Sequence, residues 1–271
     1  MSAIEQSQLG HHTHYPTHYD PSLLFAVPRA LNRVQLSPSP MQGVDVWTAY
    51  ELSWLNTQGL PQVAIAEFSI PASSPNLIES KSFKLYLNSL NAHKFSDSHA
   101  MMTQVTHDLS GCAGAMVTMR LHDVNNLSIG QLPGQCLDKL PVNINSYTPD
   151  PALLSLDPHL SGDGCWHSHL LKSNCPVTNQ PDWGSLVIEM RARKLPKAES
   201  LLAYIVSYRD HQDFHEHCVE SIYSDLWHAF QPERLTVYAR YVRRGGLDIN
   251  PWRCHEKHAP TWPVMPRLAR Q

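Results

Sequence analysis

Two stretches of this chain follow one plan, and that repetition limits the fold more than any other feature. Leu55-Asn-Thr-Gln-Gly-Leu-Pro61-Gln62 and Cys175-Pro-Val-Thr-Asn-Gln-Pro181-Asp182 each run into an apolar, alternating segment, Val63–Ile70 and Leu186–Met190. Such alternation is the signature of a strand with one buried face. A second apolar segment follows in each half, Ser82–Ser89 and Ser200–Ser207, and reads as a further strand. Tyr86 aligns with Tyr204, Ser89 with Ser207 and His93 with His211. Helical stretches come next, around 97–109 and 214–229; in the second, Phe214, Val219, Ile222, Leu226 and Phe230 recur at helical spacing. Ala115–Leu121 and Leu235–Val242 read as closing strands. Self-similarity at this scale predicts two copies of one supersecondary unit, here a β-β-α-β module. Locally joined strands favour antiparallel sheets over a doubly wound one. The expected fold is therefore α+β: two tandem modules of antiparallel sheet with helices packed on one face. The expected boundaries are a polar arm at 1–40, a module at 41–125, a linker at 126–165 and a module at 166–271.

Composition removes several function classes. A formal net charge of −3 gives no electrostatic handle for nucleic acid or an anionic membrane. None of the six cysteines forms a C-x-x-C pair, and in a chain of 271 residues such scattered cysteines read as free thiols in a reducing compartment. The N-terminal residues lack an apolar signal core, and runs such as Leu201–Val206 are too short to span a bilayer. The expectation is a soluble cytoplasmic protein. In the arm, His11, His12, His14 and His18 read as part of a polar surface segment, with metal binding the lesser alternative.

The two copies differ where chemistry would reside. The first carries Glu79-Ser-Lys-Ser-Phe-Lys84, against Glu199-Ser-Leu-Leu in the second. The second carries Cys175, Asp182 and Phe214-His-Glu216, where the first has Leu55 and Gln62 at the first two positions. Each keeps groups that the other lacks, which points to one composite site built from both. A cysteine is the strongest side-chain nucleophile near neutral pH once some thiolate exists, and a nearby carboxyl group can move protons. Asp182 also opposes thiolate formation unless it is protonated or a cation is close. A buried structural cysteine beside a capping aspartate remains the alternative. Glu216, at a helix start, is either a favourable partner of the helix dipole or an acceptor for the N–H edge of a purine-like ring; Glu79, at a strand start, has the same second reading. Lys81, Lys84, Arg243 and Arg244 supply positive charge at strand ends. Gly245-Gly246 lets backbone approach a phosphate, or simply turns the chain.

No G-x-G-x-x-G or Walker A sequence is present; Gly162-Asp-Gly164 is half of the former and is followed by Cys-Trp-His. The zinc deaminase pattern is also missing, and His215, His217 and Cys218 have no second spaced pair to complete a metal site. No metal is expected.

Glu79-Ser-Lys-Ser-Phe-Lys-Leu-Tyr86, Cys175-Pro-x-Thr-x-Gln-Pro-Asp182, Phe214-His-Glu216 and Arg243-Arg-Gly-Gly-Leu-Asp-Ile-Asn-Pro251, in that order, resemble the motifs of the 7-cyano-7-deazaguanine reductase family in its long, two-module form. The resemblance runs from about residue 20 to the C-terminus. It implies a tunnelling fold and reduction of the nitrile of 7-cyano-7-deazaguanine to the 7-aminomethyl compound, on the route to queuosine in tRNA. By the same resemblance Cys175 forms a thioimide and Asp182 donates protons. Ile78, Glu79, Ser80, His215 and Glu216 hold the deazapurine, while Ser80, Lys81, Arg244 and Gly245 hold NADPH, two of which are consumed in turn. It further implies a homodimer that contacts neither nucleic acid nor membrane. Two rivals stand beside it: a cyclohydrolase-like enzyme of the same fold, which would recruit a metal, and a purine- or pterin-binding module without catalysis.

Overall fold

The computed structural model describes residues 15–255 and 267–271, so His11, His12 and His14 lie outside the described residues. The chain is a mixed α+β protein and divides into two compact units. The first comprises residues up to Val34, Asp45–Leu127 and Arg243–Asp248; the second comprises Gln35–Val44, Ser128–Val242 and Ile249–Gln271.

The first unit holds β1 (Ala26–Pro28), α1 (Ala30–Arg33), most of β2 (Gln42–Leu55), β3 (Pro61–Pro71), β4 (Asn76–Ile78), α2 (Ser80–Ser89), α3 (Ser98–Ala113) and β5 (Thr118–His122). Its main sheet runs β5-β3-β2, with β5 antiparallel to β3 from Ile65↔His122 to Ser69↔Thr118. β1 and β4 form a separate antiparallel pair. The second unit holds β6 (Gln135–Cys136), β7 (Gly162–Ser168), β8 (Lys172–Asn174), β9 (Pro181–Ala192), α4 (Ala198–Ser207), α5 (His215–Phe230), β10 (Arg234–Tyr241) and most of β11 (Leu247–Cys254). Its sheet runs β11-β10-β9-β7-β6 and is antiparallel except for β6 on β7. Residues 126–165, expected as a linker, thus contain β6 and the start of β7.

The segments expected as second strands, Ser82–Ser89 and Ser200–Ser207, are helices. The alternation Phe83, Leu85, Leu87 suggested a strand. The buried set, however, includes Ser82, Tyr86 and Ser89, which are spaced by four and three and belong to one helical face. In ten residues both periods fit, and the cap decides: Glu79, expected at a strand start, is the N-cap of α2. Its carboxylate accepts from the backbone N–H groups of Lys81 and Ser82, at 2.7 Å each. Each copy is therefore β-β-α-α-β, its first strand lying before the loop that anchors the repeat.

Equivalent hydrogen bonds recur in the two units. Ser89 and Ser207 each donate from Oγ to a carbonyl three residues back, at 2.6 Å. The Tyr86 hydroxyl donates to Asp108, and the Tyr204 hydroxyl to Asp225. Leu55 N–H donates to His93 O and Phe95 N–H to Leu55 O; Asn174 N–H donates to His211 O and Asp213 N–H to Asn174 O. Leu55 thus corresponds to Asn174, and Asn56 stands where Cys175 stands. The expected pairing of Leu55 with Cys175 is off by one, because the second loop is one residue longer. Gln62 still corresponds to Asp182.

The repeat also extends further than expected. Asp20-Pro-Ser-Leu-Leu24 and Asp150-Pro-Ala-Leu-Leu154 each make a short 3-10 turn capped by the aspartate. Phe25 N–H then donates to Ser82 Oγ and Ser155 N–H to Ser200 Oγ. These straps lie in the stretches expected to be arm and linker. In the second unit, Leu186 and Ile188 of β9, Leu201 and Ile205 of α4, Val219 and Leu226 of α5, and Val237 of β10 pack into one core. Complete burial of one such side chain contributes roughly 1.5–3 kcal/mol.

Candidate active site

Cys175 begins the loop joining β8 to β9. Its N–H donates to Gln180 O at 2.9 Å, and its carbonyl accepts from Asn179 N–H at 3.0 Å. Asn179 takes the left-handed conformation, φ 55°, that lets so short a loop close; asparagine tolerates it better than most side chains. β8 and β9 pair with Ser173 directly opposite Asp182. Opposed residues share a face, so Ser173 and Asp182 project to the same side of the hairpin, and Cys175 follows directly on β8. Cys175 and Asp182 are each 4% exposed.

The segment before α5 lies against this hairpin through the two bonds between Asn174 and His211–Asp213. It delivers His215, whose Nε2 stands 3.2 Å from Asp182 Oδ2. The imidazole stacks on the Tyr241 ring, centroids 3.8 Å apart and planes 5° from parallel. Asp213 fixes the start of α5: it accepts from Phe214 N–H at 2.8 Å, binds Nδ1 of His217 and lies 3.4 Å from His211 Nε2. Burial pulls the Asp213 carboxyl upward, but the bonds from His211 and His217 outweigh it and bring it down to about 2. Glu216 follows His215 and is buried. Burial pushes the Cys218 thiol well up, with the charge of Asp213 adding to it. The Tyr241 hydroxyl is raised by burial and by Cys218 and Asp182; it keeps its proton.

The remaining expected site residues belong to the first unit. Ile78 pairs with Ala26 across β1 and β4, and Glu79, Ser80 and Lys81 form the start of α2. Burial raises the Glu79 carboxyl against the hydrogen bonds from Lys81 and Ser82. Arg244-Gly245-Gly246-Leu247 is a two-residue hairpin turn, with Arg244 N–H to Leu247 O at 2.8 Å and both glycines at positive φ. This is the primed turn that such hairpins favour. Gly245 is pressed on by Lys84: a Cβ there would stand 2.9–3.1 Å from that side chain. Lys81 and Lys84, expected at a strand end, lie on α2. Arg243 stacks its guanidinium over Tyr50 at 4.8 Å. Lys84 and Arg244 thus flank a glycine turn, a suitable cradle for a phosphate-bearing cofactor. Because Glu79 occupies two N–H groups at the α2 terminus, phosphates there would be read by side-chain cations and not by the helix end.

Sequence reasoning missed Tyr241 and Asp213. Neither belongs to a motif; what reveals them is β10–β9 pairing and the loop before α5. The Asp-Pro-x-Leu-Leu repeat was visible in the sequence and was the usable signal for the straps.

An α+β protein that buries a cysteine at the end of a hairpin whose other strand carries a carboxylate paired with an imidazole has the equipment of an enzyme acting through a thiol. Residues 15–121 match the family described as "Nitrile reductase, 7-cyano-7-deazaguanine-reductase N-term", and residues 181–260 match "QueF-like protein". The chain is 49% identical over 275 residues to the NADPH-dependent 7-cyano-7-deazaguanine reductase of Bordetella parapertussis, covering 99% of this chain and 100% of that one. It is 51% identical over 274 residues to the protein of the same name from Chromohalobacter salexigens, covering 99% and 98%. The solved apo structure of an archaeosine synthase QueF-Like aligns with 35% of this chain and 94% of its own at 16% identity and TM-score 0.32, too slight a likeness to bear on the fold. The chain belongs to the family of NADPH-dependent 7-cyano-7-deazaguanine reductases. No helix among the described residues is long and apolar enough to cross a membrane.

Proposed function

We propose that this chain reduces the nitrile of 7-cyano-7-deazaguanine to the primary amine of 7-aminomethyl-7-deazaguanine, in queuosine biosynthesis. The observation that carries the reading is the β8–β9 hairpin, which carries Asp182 and leads into the loop of Cys175, both buried, with His215 at 3.2 Å from that carboxylate. A nitrile is a weak electrophile, and covalent capture divides a hard reduction into easier steps. The Cys175 thiolate adds to the nitrile carbon while Asp182 gives a proton to the nitrogen, forming a thioimide. Ser80, Lys81, Arg244 and Gly245 would hold NADPH, which would supply a hydride to that carbon; nitrile to amine takes four electrons, so a second hydride would reduce the imine formed, its nitrogen taking a further proton through Asp182. Collapse after the first hydride returns the thiolate to Cys175. The imine left behind would hydrolyse in water, so the nearly complete burial of Cys175 and Asp182 is functional. Ile78, Glu79, Ser80, His215 and Glu216 hold the deazapurine, the two carboxylates accepting from its N–H edge.

The equivalent hydrogen bonds in the two units support a duplicated tunnelling-fold module. β5, whose outer edge pairs with no described strand, supports assembly as a homodimer. Use of NADPH and a small-molecule substrate supports a cytoplasmic location.

The test is NADPH oxidation by the purified chain with 7-cyano-7-deazaguanine. Two NADPH per nitrile are expected, and Cys175→Ala should bind the nitrile but consume none. Turnover by that variant would refute the covalent route.

A further inference from the structure

We infer that Tyr241 is a positioning residue that sets the orientation of His215 for the reaction. The inference rests on the reductase reading and deepens it by naming the group behind the imidazole. A histidine ring turns freely about its last side-chain bond unless something holds its plane. Here the Tyr241 ring lies flat against it, 3.8 Å away and 5° from parallel, and the imidazole is held with Nε2 3.2 Å from Asp182 Oδ2.

Tyr241 is itself fixed on three sides. Its partner across the β9–β10 ladder is Gly184, and a Cβ there would stand 3.2 Å from two atoms of the Tyr241 ring. The missing side chain is the seat of the ring. The Tyr241 N–H donates to Asn250 Oδ1 at 3.2 Å, and its carbonyl accepts from Gln271 Nε2 at 3.3 Å. Asp182 on β9 and Tyr241 on β10 face His215, and Asp213, Glu216, His217 and Cys218 flank it on its own stretch. Loss of the stack frees the imidazole to turn away from Asp182, which changes both the rate and its dependence on pH.

The experiment compares Tyr241→Phe, Tyr241→Leu and Gly184→Ala in steady-state NADPH oxidation from pH 6 to pH 9, with melting temperature measured alongside. Displacement of a reacting group by about 1 Å lowers rates by up to ~100-fold. Tyr241→Leu should therefore lose about tenfold or more in kcat and shift the pH profile. Tyr241→Phe, which keeps the stack, should restore both. Gly184→Ala, which nudges the ring by tenths of an ångström, should lose a few-fold. A folded Tyr241→Leu enzyme with the wild-type kcat and profile overturns the inference, as does a Tyr241→Phe variant that falls equally far. If Tyr241→Leu does not fold, an unchanged Gly184→Ala enzyme overturns it. A wild-type chain that oxidises no NADPH refutes the reductase reading instead. Tyr241→Leu is then compared with wild type by calorimetric binding of 7-cyano-7-deazaguanine, where equal dissociation constants overturn the positioning role.

Discussion

Replacement of Asn179 by alanine should unlatch the Cys175 loop. Asn179 sits at φ 55°, a conformation that costs an ordinary side chain roughly 1–2 kcal/mol. Its N–H closes the loop on Cys175 O, and its side-chain oxygen accepts from Gln212 Nε2 at 2.9 Å. The Gln212 bond is exposed and contributes little, so the strain dominates. A destabilisation of about 1–2 kcal/mol raises the open population about 5- to 30-fold. Where the loop recloses faster than the thiol reacts, alkylation of Cys175 follows that population. The assay is iodoacetamide labelling read by peptide mass spectrometry. Exposed Cys136 and buried Cys218 and Cys254 serve as internal references. Asn179→Ala should label Cys175 faster by that factor with the references unmoved, and Asn179→Gly, which tolerates positive φ, should stay near wild type. Equal labelling of Cys175 in all three proteins would refute the claim that loop closure guards the thiol.

Two further outcomes follow from the geometry. Asp213 is lowered from 3.8 to about 2, so its charged form stabilises the fold by about 2 kcal/mol. A depressed carboxyl contributes above its unfolded value and loses that contribution as pH falls through the folded one. The stability gap between wild type and Asp213→Asn in urea should be full at pH 6, fall to about half near pH 3 and be mostly closed by about pH 2; a gap independent of pH would remove the carboxylate as its source. Gly245→Ala adds a side chain at φ 60° and pushes on Lys84. The KM for NADPH should rise about fivefold or more for a cost of ~1 kcal/mol with kcat little changed; a fall in kcat alone would place the turn away from the cofactor.

The candidate site residues were easier to pick out in the sequence than the elements that carry them. Cys175, Asp182, Glu79 and His215 stand out because each copy lacks what the other has. The second element of each copy was misread because Phe83, Leu85 and Leu87 satisfy a period of two, while the helix is set by a cap two bonds long. The alignment slip at Leu55 had the same origin: identity of Pro61 with Pro181 fixed the far end of the loop, but only hydrogen bonds reveal the extra residue at the near end. Tyr241 lay out of reach because its role depends on Gly184 across a ladder whose register no local pattern encodes.

That extra residue explains why the thiol stands in the second copy. In the first, Asn56 holds its own loop: besides its backbone bonds, its side-chain oxygen accepts from the N–H groups of Gln58 and Leu60 at 3.0 and 2.9 Å. A cysteine there would leave both donors without that acceptor. In the longer loop, Thr178 Oγ1 accepts from Gln180 N–H at 3.4 Å, Pro176 has no N–H to satisfy, and backbone bonds to Asn179 and Gln180 close the turn. The side chain at 175 is thereby released from structural duty and can be a nucleophile. Cys175→Asn should consequently leave the melting temperature unchanged while abolishing NADPH oxidation, whereas Asn56→Cys should lower the melting temperature by removing the acceptor of two N–H groups.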